Sequence, residues 1–144
     1  MIQAVAFLSK VMNTKDFLKQ IDENIANVLC IDFDGVIHNH DLGFHDGTIY
    51  GDPIEGSLEA LKQLSKKYRL IIYTCKANPD RPLVNGKTGG ELIWDWLDKH
   101  GVKENVTSVT YTKPNAAAYI DDKAIRFMDW EQTLQDLNSL SKHD

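Results

Sequence analysis

Two aspartates spaced i and i+2, Asp32 and Asp34, follow a short apolar run, Val28-Leu-Cys-Ile31, and Gly35 comes directly after them. The run is partly β-branched and reads as a buried strand. The glycine breaks it just past the acids. Two like charges this close resist ionising together, so such a pair usually holds a cation or divides acid and base duties. A plain Asp-rich turn at a strand end is the alternative. It is disfavoured because the chain supplies partners: Thr74 and the pair Asp121-Asp122 also end strand-like runs.

The elements that must position these residues can be read from periodicity and caps. Residues 2–27 read as helical in two pieces broken near Asn13-Thr14. Phe7, Leu8, Val11 and Met12 share one face, and Phe17, Leu18, Ile21 and Ile25 share another. A polar loop, 38–51, follows the first strand. Asp52-Pro53-Ile54-Glu55 offers an N-cap, a proline at the first helical position and an acid in the first turn. Leu58, Leu61 and Leu64 give that helix its stripe, which ends near Lys66-Lys67. Residues 69–74 form the second strand, and 75–88 a loop bearing Pro and Gly.

Thr88-Gly-Gly-Glu91 is a capping box for a helix that packs through Leu92, Ile93, Trp96 and Leu97 and stops at Gly101. Residues 106–111 and 116–120 are the third and fourth strands. Asp129 caps a last helix with the stripe Trp130, Leu134 and Leu137. Strands alternating with capped helices predict an α/β fold, a doubly wound parallel sheet with helices on both faces. Ligands of such sheets sit outside the carboxyl ends of the strands, where the strand order reverses. Asp32, Thr74 and Asp121 all fall at such ends, so one site is expected. Residues 1–27 are read as a helical extension packed on the core, and residues 28–144 as the α/β core itself.

At 144 residues the chain is one domain with room for a core. Its 42% hydrophobic and 26% charged content exclude disorder, and a net charge of −5 does not favour non-specific nucleic-acid binding. The two cysteines, Cys30 and Cys75, adjoin strand-like runs and form no Cys-rich framework, which fits reduced thiols in a cytoplasmic protein. No apolar run approaches the roughly 18 residues of a membrane span, and the first residues do not read as a signal peptide.

Taken in order, Asp32-Phe-Asp-Gly-Val36, Leu70-Ile-Ile-Tyr-Thr74, Lys113-Pro114 and Tyr119-Ile-Asp-Asp122 resemble the four motifs of the haloacid dehalogenase-like (HAD) superfamily. The resemblance runs from about residue 28 to 128. The stretches 32–38 and 119–127 are further similar to small HAD-like proteins of phages and bacteria. The resemblance implies a Rossmann-like sheet ordered 3-2-1-4, with a short fifth strand possible around 126–128. It also implies a Mg²⁺-dependent phosphomonoester hydrolase working through an aspartyl-phosphate.

By that resemblance Asp32 is the nucleophile, a carboxylate that splits one hard hydrolysis into two easier steps. Asp34 is the general acid and then the base. Asp at this position sets the chain apart from superfamily pumps, which carry Thr there, and from dehalogenases, which lack the second acid. Thr74 would hydrogen-bond a phosphoryl oxygen and Lys113 would neutralise charge on the phosphate and on Asp32. Taken singly, Thr74 could merely end its strand and Lys113 could be a solvated loop charge. Mg²⁺ would be held by Asp32, the backbone carbonyl of Asp34, Asp121, and Asp122 directly or through water.

His38, His40 and His45 crowd the loop after the first motif. A His-x-His pair can bind zinc, but no regular fourth ligand accompanies it. A polar lip over the site, with His38 touching substrate, is the expectation. Lys76 and Arg81 near the same mouth read either as contacts to a second anionic group or as solvated charges. Neither insertion point for a superfamily cap has room for one, so the site is expected to be open and its phosphorylated substrate to be large. A nucleic-acid end would need Lys76, Arg81, Lys87 and Lys113 to face it. The other readings are a non-catalytic binding or regulatory module on the same scaffold, and the phosphatase half of a nucleic-acid end-healing system. A monomer or weak homodimer is expected.

Overall fold

The computed structural model describes residues 13–141. Four strands, β1 (Val28–Ile31), β2 (Arg69–Tyr73), β3 (Ser108–Thr110) and β4 (Ala118–Ile120), form one sheet in the order β3-β2-β1-β4. Every pair is parallel. Among the described residues four α-helices accompany them: α1 (Thr14–Ile25), α2 (Ser57–Leu64), α3 (Gly89–Lys99) and α4 (Trp130–Ser141). The result is an α/β fold with the expected strand order. No helix among the described residues is long and apolar enough to cross a membrane.

The central strand is buried along its whole length, which is why it reads as a continuous apolar run rather than an alternation. Register places Leu29 beside Leu70 and Ile31 beside Ile72, so these four share one face. Leu61 of α2 and Ile93, Trp96 and Leu97 of α3 close over that face, with Val102 and Val106 from the segment after α3. Burying a side chain of this size stabilises by about 1.5–3 kcal/mol. No residue of α1 or α4 enters this cluster. Trp130, Leu134 and Leu137, the expected stripe of the last helix, are exposed. Phe17, Ile21 and Ile25 of α1 are half-buried. The expectation built on Phe7, Leu8, Val11 and Met12 lies outside the described residues.

Caps act largely where the sequence places them. Thr88 Oγ1 accepts from the Glu91 N–H at 3.2 Å, and Asp129 Oδ1 accepts from the Gln132 N–H at 2.8 Å. One start is displaced. Asp52-Pro53 does not open α2, which begins at Ser57 after Gly56. The Asn39 N–H bonds Asp52 O and the Ile54 N–H bonds Ile37 O, so 52–54 is zipped antiparallel onto 37–39 and cannot coil. β3 and β4 are shorter than expected. No strand follows β4 among the described residues, so the fifth strand near 126–128 is not formed; 124–128 runs exposed instead.

Candidate active site at the carboxyl ends of β1 and β4

Strand register brings the first carboxylates together. Ile31 pairs with Ile120, so Asp32 and Asp121 stand opposite one another one residue further on, on strands that neighbour at about 4.8 Å. The Asp32 N–H donates to Ile120 O at 2.9 Å and extends the ladder by that step. One oxygen each from Asp32, Asp121 and Asp122 lies within 4.8 Å of the others. Two backbone donors meet the group: the Phe33 N–H to Asp32 Oδ1 at 2.8 Å, and the Lys123 N–H to Asp121 Oδ1 at 2.7 Å. Among the described residues, no Lys, Arg or His pairs with any of the three.

That arrangement is electrostatically unfinished. Burial pushes the Asp32 carboxyl up to about 6, and the charges of Asp121 and Asp122 push the same way against the Phe33 hydrogen bond. Gly35 makes room for the third acid. A Cβ at this position would stand 2.3 Å from Asp122 Oδ2, and the residue's φ of +84° is left-handed. The glycine that ends the first motif therefore lets Asp122 approach.

Asp34 lies in different surroundings. His38 Nδ1 is 2.8 Å and His40 Nδ1 3.5 Å from its Oδ1, and Lys76 Nζ is 3.3 Å from its Oδ2. Burial alone would raise its pKa, but the His38 hydrogen bond and the Lys76 and His40 charges together hold it below the usual carboxylate value. His40 also stacks on Tyr50, ring centroids 6.2 Å apart and 17° from parallel.

His38 does not form part of an exposed lip, and the expectation that it touches substrate is corrected. Its side chain is fully buried, because its ring stacks on Phe33 and meets the edges of Trp96 and Tyr50. Asp34, His38 and His40 lie close enough to suggest a second metal group. However, the Gly51 N–H donates to His38 Nε2 at 2.8 Å. The proton is then on Nδ1, which points at Asp34 and has no lone pair for a metal.

Thr74 is buried at the end of β2 and lines one cavity with Asp32, Asp34, Asp121, Asp122 and Lys123. Its Oγ1 accepts from the Lys76 N–H at 3.2 Å as the cap of a short 3₁₀ turn, Cys75–Ala77. The hydroxyl proton stays available to a ligand. Lys113 lines one groove with Asp32 but forms no ion pair with it. Its ammonium lies 4.7 Å above the Tyr119 ring, in a neighbouring groove that shares Asp32 and Asp121 with the first cavity. The Lys-Pro loop ahead of β4 is exposed, so the ammonium settles on the nearest aromatic face.

Among the described residues, Lys76 is the lysine that pairs with a carboxylate of the site. Its position two residues after Thr74 hinted at this, but its burial by the 3₁₀ turn was not visible in sequence. The other candidate cations are occupied elsewhere: Lys87 pairs with Asp95, and Arg81 lies over Phe44 at 5.3 Å. Both cysteines are free thiols. No family model, curated protein or solved structure matches the chain.

Proposed function

We propose that the chain is a Mg²⁺-dependent phosphomonoester hydrolase with a doubly wound, HAD-type core and no cap domain, acting through an aspartyl-phosphate on Asp32. One observation carries the reading: three carboxylates with no ion pair among the described residues share a cavity with a fourth that is paired to Lys76. The donor set is all hard oxygen, which suits Mg²⁺. Asp32, Asp121 and Asp122, with the backbone carbonyl of Asp34, would hold the ion. Bound there it would offset the carboxylate charges and polarise a phosphoryl oxygen.

The chain's own residues do the rest. A carboxylate oxygen of Asp32 attacks phosphorus, and the bond from phosphorus to the leaving oxygen breaks as Asp34 protonates that oxygen. His38, Lys76 and His40 favour the ionised Asp34 in the free protein, so the proton arrives with the substrate. A phosphate monoester monoanion, whose second ionisation lies near pH ~6, carries one. In the second step the Asp34 carboxylate takes a proton from water as the water oxygen attacks phosphorus. The Asp32–phosphorus bond then breaks, inorganic phosphate leaves, and Asp34 releases its proton to solvent and returns to its ionised form. Thr74 donates its hydroxyl proton to a phosphoryl oxygen, and Lys76 supplies the nearby positive charge expected of Lys113.

The reading extends to a cytoplasmic monomer or weak homodimer whose phosphorylated substrate is large if the site is open. The position of Lys113 on Tyr119 favours a second reading, a cation- and phosphate-binding module without turnover. Hydrolysis of p-nitrophenyl phosphate separates the two. Turnover should require Mg²⁺ and vanish on chelation and in Asp32→Asn. Undiminished activity after chelation would remove the first reading, and phosphate binding without turnover would establish the second.

A further inference from the structure

His38 has two ring nitrogens and both are used. Nε2 meets the backbone N–H of Gly51, a group that can only donate, so Nε2 must carry the lone pair. Nδ1 then carries the hydrogen and donates it to Asp34 Oδ1. The donor side is itself fixed. Trp96 Nε1–H bonds Gly51 O at 3.1 Å and so anchors the next peptide unit, on the other side of the Gly51 Cα. Gly51 has no alternative residue here, since a Cβ would stand 2.0 Å from Asn39 O and 2.8 Å from His38 Nε2. The ring is clamped face-on by Phe33 and edge-on by Trp96 and Tyr50. A 180° flip of the ring would place carbon atoms against Asp34 and Gly51 and lose both hydrogen bonds.

Resting on the hydrolase reading above, we propose that His38 is a positioning residue, held by Gly51 as the Nδ1–H tautomer so that it aims the Asp34 carboxylate at the leaving oxygen. A carboxylate oxygen has two lone pairs. With one on Oδ1 taken by His38 and Lys76 on Oδ2, the direction of the remaining pairs is set before substrate arrives. Outer partners that orient a functional group are typically worth about 10–100-fold in activity. Bulk electrostatics is a separate matter, because Lys76 and His40 also offset the Asp34 charge.

Two substitutions divide the two bonds. His38→Asn keeps a donor at the Nδ1 position and loses the acceptor for Gly51. His38→Gln can accept from Gly51 and loses the donor at Asp34. If His38 only stabilises the fold, activity follows melting temperature in both variants. A positioning role instead requires His38→Asn to melt lower yet keep kcat within about threefold. His38→Gln should melt closer to wild type while kcat on an alkyl phosphate, whose poor leaving oxygen needs the proton, falls about 10–100-fold, with KM little changed.

The tautomer is read independently of activity, from two-bond ¹H–¹⁵N spectra of ¹⁵N-histidine-labelled protein. The His38 pattern should be Nδ1-protonated at neutral pH. An Nε2–H tautomer, or kcat falling in parallel with stability across both variants, would overturn the proposal. Wild-type protein inactive on the aryl phosphate with Mg²⁺ would remove the hydrolase reading and the catalytic use of His38 with it. The tautomer spectrum would still decide whether the Gly51–His38–Asp34 geometry is right.

Discussion

Asp32 and Asp34 are separated by a single residue in the chain and face opposite electrostatic conditions. Asp32 meets Asp121 and Asp122, with two backbone N–H groups and no cationic side chain against the three, and its carboxyl is pushed up to about 6. Asp34 meets His38, His40 and Lys76, and is pulled below the usual value. The first group lacks a positive charge that the protein does not provide; the second is already neutralised from within. In a continued strand residues i and i+2 would share a face. The chain instead leaves β1 after Ile31 and turns over 33–38, where the Val36, Ile37 and His38 N–H groups all meet Phe33 O. The two side chains therefore enter separate surroundings, and one motif can supply both a cation ligand and an acid–base group. The difference explains why residue type alone does not assign a role here.

The largest effect should come from removing the shared member of the uncompensated group. Asp32→Asn should reduce phosphatase activity to background in a steady-state assay, because it removes both the nucleophile and a ligand. Activity within tenfold of wild type would mean that Asp32 is not the attacking group. Asp34→Asn should lower kcat by roughly 10²–10⁴-fold on a substrate with a poor leaving group, while Mg²⁺ affinity measured by calorimetry stays within a few-fold of wild type. Lost affinity with kcat retained would assign Asp34 to the cation instead.

Gly35→Ala sharpens the contrast from the side of Asp122. A left-handed φ costs a non-glycine residue about 1–2 kcal/mol, and the added Cβ would also displace the Asp122 carboxylate. The variant should fold with a modest drop in melting temperature and a larger loss of Mg²⁺ affinity. Unchanged affinity would show that Asp122 is dispensable to the ion.

The smallest effect is in pH. The folded Asp32 binds its proton more tightly than the unfolded chain does, so its contribution to stability is fully present below about pH 4. It is lost as pH rises through about 6. Asp34 has the opposite sign: its contribution is present above the usual carboxylate range and is lost as pH falls through its lowered value. A divalent cation competes with the Asp32 proton, so its affinity should weaken by about tenfold per pH unit below pH 6. Melting curves with and without Mg²⁺ at pH 5 and pH 7.5 test this, and stabilisation by Mg²⁺ that does not grow with pH would contradict it.

The alternation of strands and helices was legible because Val28–Ile31, the caps at Thr88 and Asp129 and the acids at strand ends are local signals that agree with the global fold. The order 3-2-1-4, which the sheet has, was what the family resemblance implied. The meeting of Asp32 with Asp121 followed from register once the order was known. What could not be read depends on contacts far apart in sequence. Asp52-Pro53 looks like a helix start because the hydrogen bonds that pin it to 37–39 leave no local mark. Lys76 and Lys113 are indistinguishable as loop lysines until the 3₁₀ turn buries one and Tyr119 attracts the other. His38 looked like a surface ligand because its burial is set by Trp96, Phe33 and Tyr50. The exposed stripe of α4 had the periodicity of a buried one, and periodicity does not name the surface that receives it.

The central claim is that Asp32 carries phosphoryl and Asp34 turns it over, which trapping tests most directly. An aryl phosphate needs little protonation of its leaving group, so Asp34→Asn should still be phosphorylated by it and then stall for want of the base. Acid quenching followed by peptide mass spectrometry should find one phosphoryl group on the peptide containing Asp32. It should accumulate in Asp34→Asn with Mg²⁺ present and be absent from Asp32→Asn. Phosphoryl on a different residue, or steady turnover by wild type with no label trapped in either protein, would contradict the account.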